Sequence, residues 1–164
     1  MKNKKVTSKI LGYTIPKGTS KTLRVKKVEE VIGSLSPEML QLVFEIRKRM
    51  KEWEGVEEKV MYDGLAKEEL PAFNLGKRQL FHLHLESARH GRGVAGTVSI
   101  NINDFEPYLL DSHVVSQSLK KLVAEQKIYR GTKWVFIPLK NMEEVEEFLD
   151  LVQLKYEFYK YGGE

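Results

Sequence analysis

Between Val60 and Asn103 the apolar residues fall into segments with a two-residue period, and on either side they recur at every third or fourth position. That change of period limits the fold more than any other feature. A two-residue period sends alternate side chains to opposite faces of a strand, and a 3.6-residue period lines one stripe of a helix. The strand-like segments are Val60-Met61-Tyr62, Pro71 to Leu75, Gln79 to Glu86 and Val98 to Asn103, with Trp134 to Leu139 further on. Gly76-Lys77-Arg78 is a tight connection between two of them, which predicts an antiparallel meander. In Val98 to Asn103 the apolar residues Val98, Ile100 and Ile102 point inward. Trp134 to Leu139 is apolar at both parities, so cover on both faces, at least in part, is expected, with its end at Pro138 on an edge.

Three main helices are predicted. The first begins at Ser36-Pro37-Glu38, a cap, a first-turn proline and a first-turn acid. Its stripe is Met39, Val43, Ile46, Met50 and Trp53, widened by Leu40 and Phe44, with Glu45–Arg49 and Lys48–Glu52 on the wet side. The second runs from about Asp111 to Gln126 on Val115, Leu119, Leu122 and Val123. The third covers 142–160, capped at Asn141, with Val145, Phe148, Leu149, Val152, Tyr156 and Tyr159 toward the core. Residues 23–33 form a short helix or a connector. The class is therefore α+β: a mostly antiparallel four- to five-stranded sheet with three main helices packed mainly on one face. Trp53, Trp134 and the tyrosines of the last helix sit at core periodicity. Tyr129 and Tyr159 have an alternative place, in a cleft or in a homodimer contact.

Charge divides the chain unevenly. Residues 1–28 carry Lys2, Lys4, Lys5, Lys9, Lys17, Lys21, Arg24, Lys26 and Lys27 and no acid, which leaves 18 of the 27 basic residues against all 23 acids. This reads as a basic arm, 1–28, before a single domain, 29–164. Nine positive charges can neutralise phosphates and give salt-sensitive nucleic-acid binding. Tyr13 is the arm's single aromatic residue, which argues against stacked single-strand recognition. The plainer alternative is a solvated extension. Gly12 and Gly18 are five residues apart, with Thr19 next, so no phosphate-binding loop is present. The chain has no cysteine, which excludes disulfides, thiolate metal sites and a cysteine nucleophile. No apolar run approaches the roughly 18 residues of a membrane span. Together with the lack of a signal-like apolar core, this leads to the expectation of a cytoplasmic protein without a membrane partner. Abundant lysine and glutamate fit a thermophilic source.

Two of the four histidines lie on Gln79-Leu80-Phe81-His82-Leu83-His84-Leu85-Glu86. Alternation puts Phe81, Leu83 and Leu85 on the core face and Leu80, His82, His84 and Glu86 on the other. Two neutral imidazoles two residues apart on a strand can chelate a metal. Glu86 shares their face and His90 follows on the next loop. Arg89 and Arg92, beside Gly91 and Gly93, can grip an anion. The plainer readings are hydrogen-bonded histidines and an ordinary exposed loop. No HExxH, no GxSxG and no carboxylate-rich pattern accompanies them. The expected ligand-binding set is thus His82, His84, Glu86, Arg89, His90 and Arg92. No cofactor is expected, no catalytic residue is assigned, and His82 and His84 are the only metal candidates.

Phe73-Asn74-Leu75-Gly76-Lys77-Arg78-Gln79-Leu80-Phe81-His82-Leu83-His84 resembles the Phe-x-x-Gly-x-x-Glu-x-x-His-x-His segment of the luciferase-domain family, with Gln79 where an acid is usual. Gly131-Thr132-Lys133-Trp134-Val135 resembles that family's Gly-Trp-Val strand start with two extra residues, and Glu143 to Tyr156 its closing helix. The likeness covers about Val60 to Tyr159. Lys127-Ile128 stands where the family pattern has a histidine after the middle helix. The resemblance implies a small α+β fold of largely unknown biochemistry. Three functions follow from the whole reading: an interaction or ligand-binding module centred on His82 and His84, a nucleic-acid-associated protein using the arm, or a metal-dependent enzyme on the histidine face.

Overall fold

A computed structural model describes residues 21–65, 67–85 and 93–162. The chain forms two helices, α1 (Lys21–Gly33) and α2 (Pro37–Glu52), then strands β1 (Val56–Asp63), β2 (Glu68–Leu75), β3 (Arg78–His84) and β4 (Val94–Asn101). Helices α3 (Phe105–Asp111) and α4 (Gln117–Glu125) follow, then strands β5 (Ile128–Tyr129) and β6 (Thr132–Leu139), and the closing helix α5 (Met142–Tyr161). The sheet order is β1-β2-β3-β4-β6-β5, and every pairing is antiparallel.

The α+β class and the antiparallel sheet are as expected, but the described residues hold six strands and five helices. Each difference has a local cause. The two residues of β5 are too few to show a period. Helix α1, read in sequence as a short helix or a connector over 23–33, has no acid in its first turn and no basic residue in its last. The predicted 111–126 helix is shorter, Gln117–Glu125, and a separate helix, α3, precedes it and ends at Asp111. Ser112 turns extended (φ −70°, ψ 144°) and ends α3, and Ser116 caps α4 by accepting from the Leu119 amide at 3.3 Å. The basic arm ended at residue 28 by charge, whereas α1 runs through that point and buries Val28 and Ile32.

Helix α2 starts where its cap signal places it, with Ser36 Oγ accepting from the Met39 amide at 3.3 Å. Its buried stripe is Leu42, Val43, Ile46 and Met50, whereas Leu40 and Phe44 are exposed rather than widening it. The Glu45–Arg49 pair forms at 3.0 Å, and Arg49 also reaches Glu146 on α5. The helices cover one face of the sheet. There Phe73 stacks on Phe81 at 4.7 Å and Phe148 of α5 meets Phe81 edge-on at 5.1 Å. Gly96 faces the same layer: a Cβ there would lie 2.5 Å from the Phe148 ring, so α5 can approach β4 only over a glycine.

Two buried amines complete the layer where backbone pairing stops. Lys133 Nζ donates to the Val123 and Ala124 carbonyls at the end of α4 and to Glu106 at 2.9 Å. Strands β3 and β4 pair only at His82–Thr97, Leu83–Gly96 and His84–Ala95, then part. Lys155 Nζ fills the gap, donating to the carbonyls of Gln79 (2.9 Å), Leu80 (3.1 Å) and Ser99 (2.7 Å). An ammonium there supplies the donors that a missing ladder leaves out. Burial, and then the nearby Arg78 guanidinium, lower its pKa to about 7.

Among the described residues strand β6 is buried on one face: Val135, Ile137 and Leu139 are buried, whereas Trp134 (48% exposed) and Phe136 (50%) are only half-covered on the open side, so the cover expected on both faces is partial there. No helix among the described residues is long and apolar enough to cross a membrane.

Candidate functional site

The open face of the sheet carries a cleft of about 750 Å³ lined by Met61, Tyr62, Asp63, Gly64, Leu65, His82, His84, Thr97, Tyr129, Trp134 and Phe136. Its depth follows from side-chain size in the sheet rows. Ala72, His82, Thr97 and Phe136 are cross-strand neighbours in one row, and His84, Ala95 and Pro138 form the next. The small Ala72 and Ala95 leave room at the histidines, and Phe136 and Trp134 rise at one side. Across the cleft stand Met61, Tyr62 and the tip residue Leu65, which is 98% exposed.

Alternation places His82 and His84 together on this face, as expected, but not Leu80. A bulge shifts the register at Phe73/Asn74, so that Phe73 pairs Phe81 and Asn74 pairs Gln79. Leu80 is the extra residue of β3 and joins the helix-side core. The bulge also brings Gln79 to His82: the Gln79 amide oxygen lies 2.6 Å from His82 Nδ1. An amide oxygen only accepts, so His82 Nδ1 carries the proton and Nε2 keeps a lone pair. Burial, and then the neighbouring His84, lower the His82 pKa to about 4, so this imidazole is neutral near pH 7.

His84 is held from both sides. Its Nδ1 lies 2.8 Å from Glu68 Oε1 and its Nε2 2.9 Å from Thr97 Oγ1. Glu68 is a buried carboxylate, only 8% exposed, so a proton on Nδ1 between them is the arrangement that satisfies both. Thr97 then donates to Nε2. The two rings meet edge-on at 4.9 Å, and His84 lies 5.4 Å from the Phe136 ring. Asp63 closes the β1 end. Its Oδ1 accepts from the Leu65 amide at 2.8 Å, fixing the turn that carries Leu65 over the cleft. One Asp63 oxygen and one nitrogen of each histidine lie within 4.8 Å of one another.

Of the expected set, His82 and His84 share the site, whereas Glu86, Arg89, His90 and Arg92 lie outside the described residues. Asp63, Glu68, Gln79 and Thr97 were not anticipated. Asp63-Gly64 reads locally as a hairpin signal, which hides a second role. Glu68 and Thr97 reach His84 across neighbouring strands, and no local pattern marks that. Trp134, assigned to the core by periodicity, lines the cleft instead. Tyr129 also lines it, whereas Tyr159 lies on the helix side under the Arg78 guanidinium (3.6 Å) and donates to Asp104. Trp53 packs on Tyr156 at 5.1 Å, against the core.

Of the basic arm, Lys2, Lys4, Lys5, Lys9 and Lys17 lie outside the described residues, and Lys21, Arg24, Lys26 and Lys27 begin α1. Arg24 pairs with Glu69 at 3.5 Å. Lys26 and Lys27 are exposed and followed, after the buried Val28, by Glu29 and Glu30. No family model, no curated protein and no solved structure matches the chain.

Proposed function

We propose that this protein is a small-ligand-binding module whose site is the cleft over His82 and His84. One observation carries the reading: three exposed aromatic rings, Tyr129, Trp134 and Phe136, stand beside a polar floor whose groups are individually held. Exposed rings around a concave surface favour an apolar, planar ligand body. The floor offers acceptors, namely His82 Nε2 and the Asp63 carboxylate. The metal-free site therefore takes a ligand with an aromatic body and a donor or cationic head. A tie to the luciferase-domain family belongs to this proposal and rests on the Phe73 to His84 segment. The arm's role in nucleic-acid binding has no comparable support, because its charges on α1 are followed by Glu29 and Glu30, and Arg24 is paired with Glu69.

The test uses the Trp53→Phe chain, which leaves Trp134 as the one tryptophan. Titration with naphthylmethylamine should quench its emission saturably, and the isosteric naphthoate should bind at least about tenfold more weakly. Phe136→Ala should weaken the amine by a similar factor. Equal binding of amine and carboxylate, or no effect of Phe136→Ala, would overturn the reading.

A further inference from the structure

We infer that Asp63, His82 and His84 together bind one divalent transition-metal ion, zinc first among them, at the floor of the cleft. The inference rests on the cleft being the working site, and it names the species that would meet a ligand's head there. Two neutral imidazole nitrogens and one carboxylate oxygen form a donor set suited to zinc and to ferrous or manganous ions. The three donor atoms already lie within 4.8 Å of one another. Bonds of about 2.1 Å to a tetrahedral zinc require donor atoms about 3.4 Å apart, so closure needs shifts of about 1 Å. Asp63 can provide them, being half-buried at the end of β1 beside Gly64.

The partners behind the ligands strengthen the assignment. Metal-binding histidines usually donate their second ring N–H to a carboxylate or carbonyl, which sets the tautomer and the ring angle. Both rings have such a partner on Nδ1: Glu68 for His84 at 2.8 Å and Gln79 for His82 at 2.6 Å. Nε2 is thus the lone-pair nitrogen of each. Thr97 now occupies that position on His84 at 2.9 Å, and its hydroxyl yields to the ion on binding. Three protein ligands leave a fourth position open toward Tyr129, Trp134 and Phe136, where water or the ligand's head would coordinate.

The experiment uses the tag-free full chain, stripped with a chelator and then dialysed against zinc. Elemental analysis should give one zinc per chain, and cobalt in its place should give the visible d–d bands of a low-coordinate site. Asp63→Asn, a substitution in a turn, should lower zinc affinity at least about tenfold and abolish the cobalt bands. Glu68→Gln should also lower affinity about tenfold without removing a ligand. His113→Ala, at an exposed position, should change nothing. Circular dichroism of each variant separates a lost site from a lost fold. Failure to retain stoichiometric zinc, or unchanged affinity in folded Asp63→Asn, would overturn the inference. Naphthylmethylamine binding to the metal-free chain would survive that failure, and its loss alone would instead strike the cleft reading. Zinc should also reverse the head preference, so that the loaded chain takes naphthoate.

Discussion

Replacing Gly96 by alanine should destabilise the protein through a single ring. Gly96 lies on β4 between Ala95 and Thr97, which face the cleft, and itself faces α5. An alanine Cβ would sit 2.5 Å from Phe148 Cζ and 2.6 Å from Cε2. Carbon atoms pack at about 3.5–4.0 Å, so the ring must retreat by about 1 Å. It has nowhere to go: Phe148 is fully buried, edge-on to Phe81 at 5.1 Å, and Phe81 is backed by Phe73 at 4.7 Å. Overpacking of this kind costs about 2–3 kcal/mol. For a domain of this size, that lowers Tm by about 5–10 °C. Calorimetry and urea unfolding measure both quantities. The mechanism also predicts a rescue. Phe148→Leu alone leaves a cavity and costs about 1–2 kcal/mol, but with Gly96→Ala present the space is used. The double variant should therefore lie at least about 1 kcal/mol above the sum of the singles. Strict additivity, or a Gly96→Ala chain as stable as the parent, would refute the packing argument.

The Lys155 amine is lowered to about 7 in the fold, by burial and then Arg78, and is near 10.5 in an unfolded chain. Between those values the unfolded state holds more protons, so stability rises with pH from about 7 to about 10.5 and levels off below about 7. From pH 7.5 to 9.5 the parent should gain about 2 kcal/mol relative to Lys155→Met by urea unfolding, and a flat difference would sink the idea. Nitrogen-15 spectra should show His82 neutral and protonated on Nδ1 down to about pH 5, because burial and His84 hold its pKa near 4. A cationic His82 at pH 6 would contradict the assigned partner. Lys133→Met removes the donor to the Val123 and Ala124 carbonyls and leaves Glu106 without its cation. That should cost about 2–4 kcal/mol in chemical denaturation, and a loss under about 0.5 kcal/mol would show that water replaces the amine.

The sequence by itself determined whatever depends on neighbours along the chain. The Ser36 and Asn141 caps, the Gly76 turn and the alternation that sets His82 beside His84 all act over a few residues, and all are present in the structure. Only the tertiary structure decided what lies across strands or depends on which face is covered. The bulge at Phe73/Asn74 moved Leu80 from the histidine face into the core, because one unpaired residue inverts the alternation. Lys155 and Lys133 look like surface lysines in sequence, yet both are buried, because each amine donates to several backbone carbonyls brought together by the fold. Trp134 has core periodicity but stands in the cleft, since the helices cover one side of the sheet and leave the other open. Asp63 and Glu68 meet the histidines for the same reason. They are 19 and 16 residues from His82 and His84 along the chain, and antiparallel pairing of β1, β2 and β3 brings Glu68 to 2.8 Å from His84 and an Asp63 oxygen within 4.8 Å of the ring nitrogens.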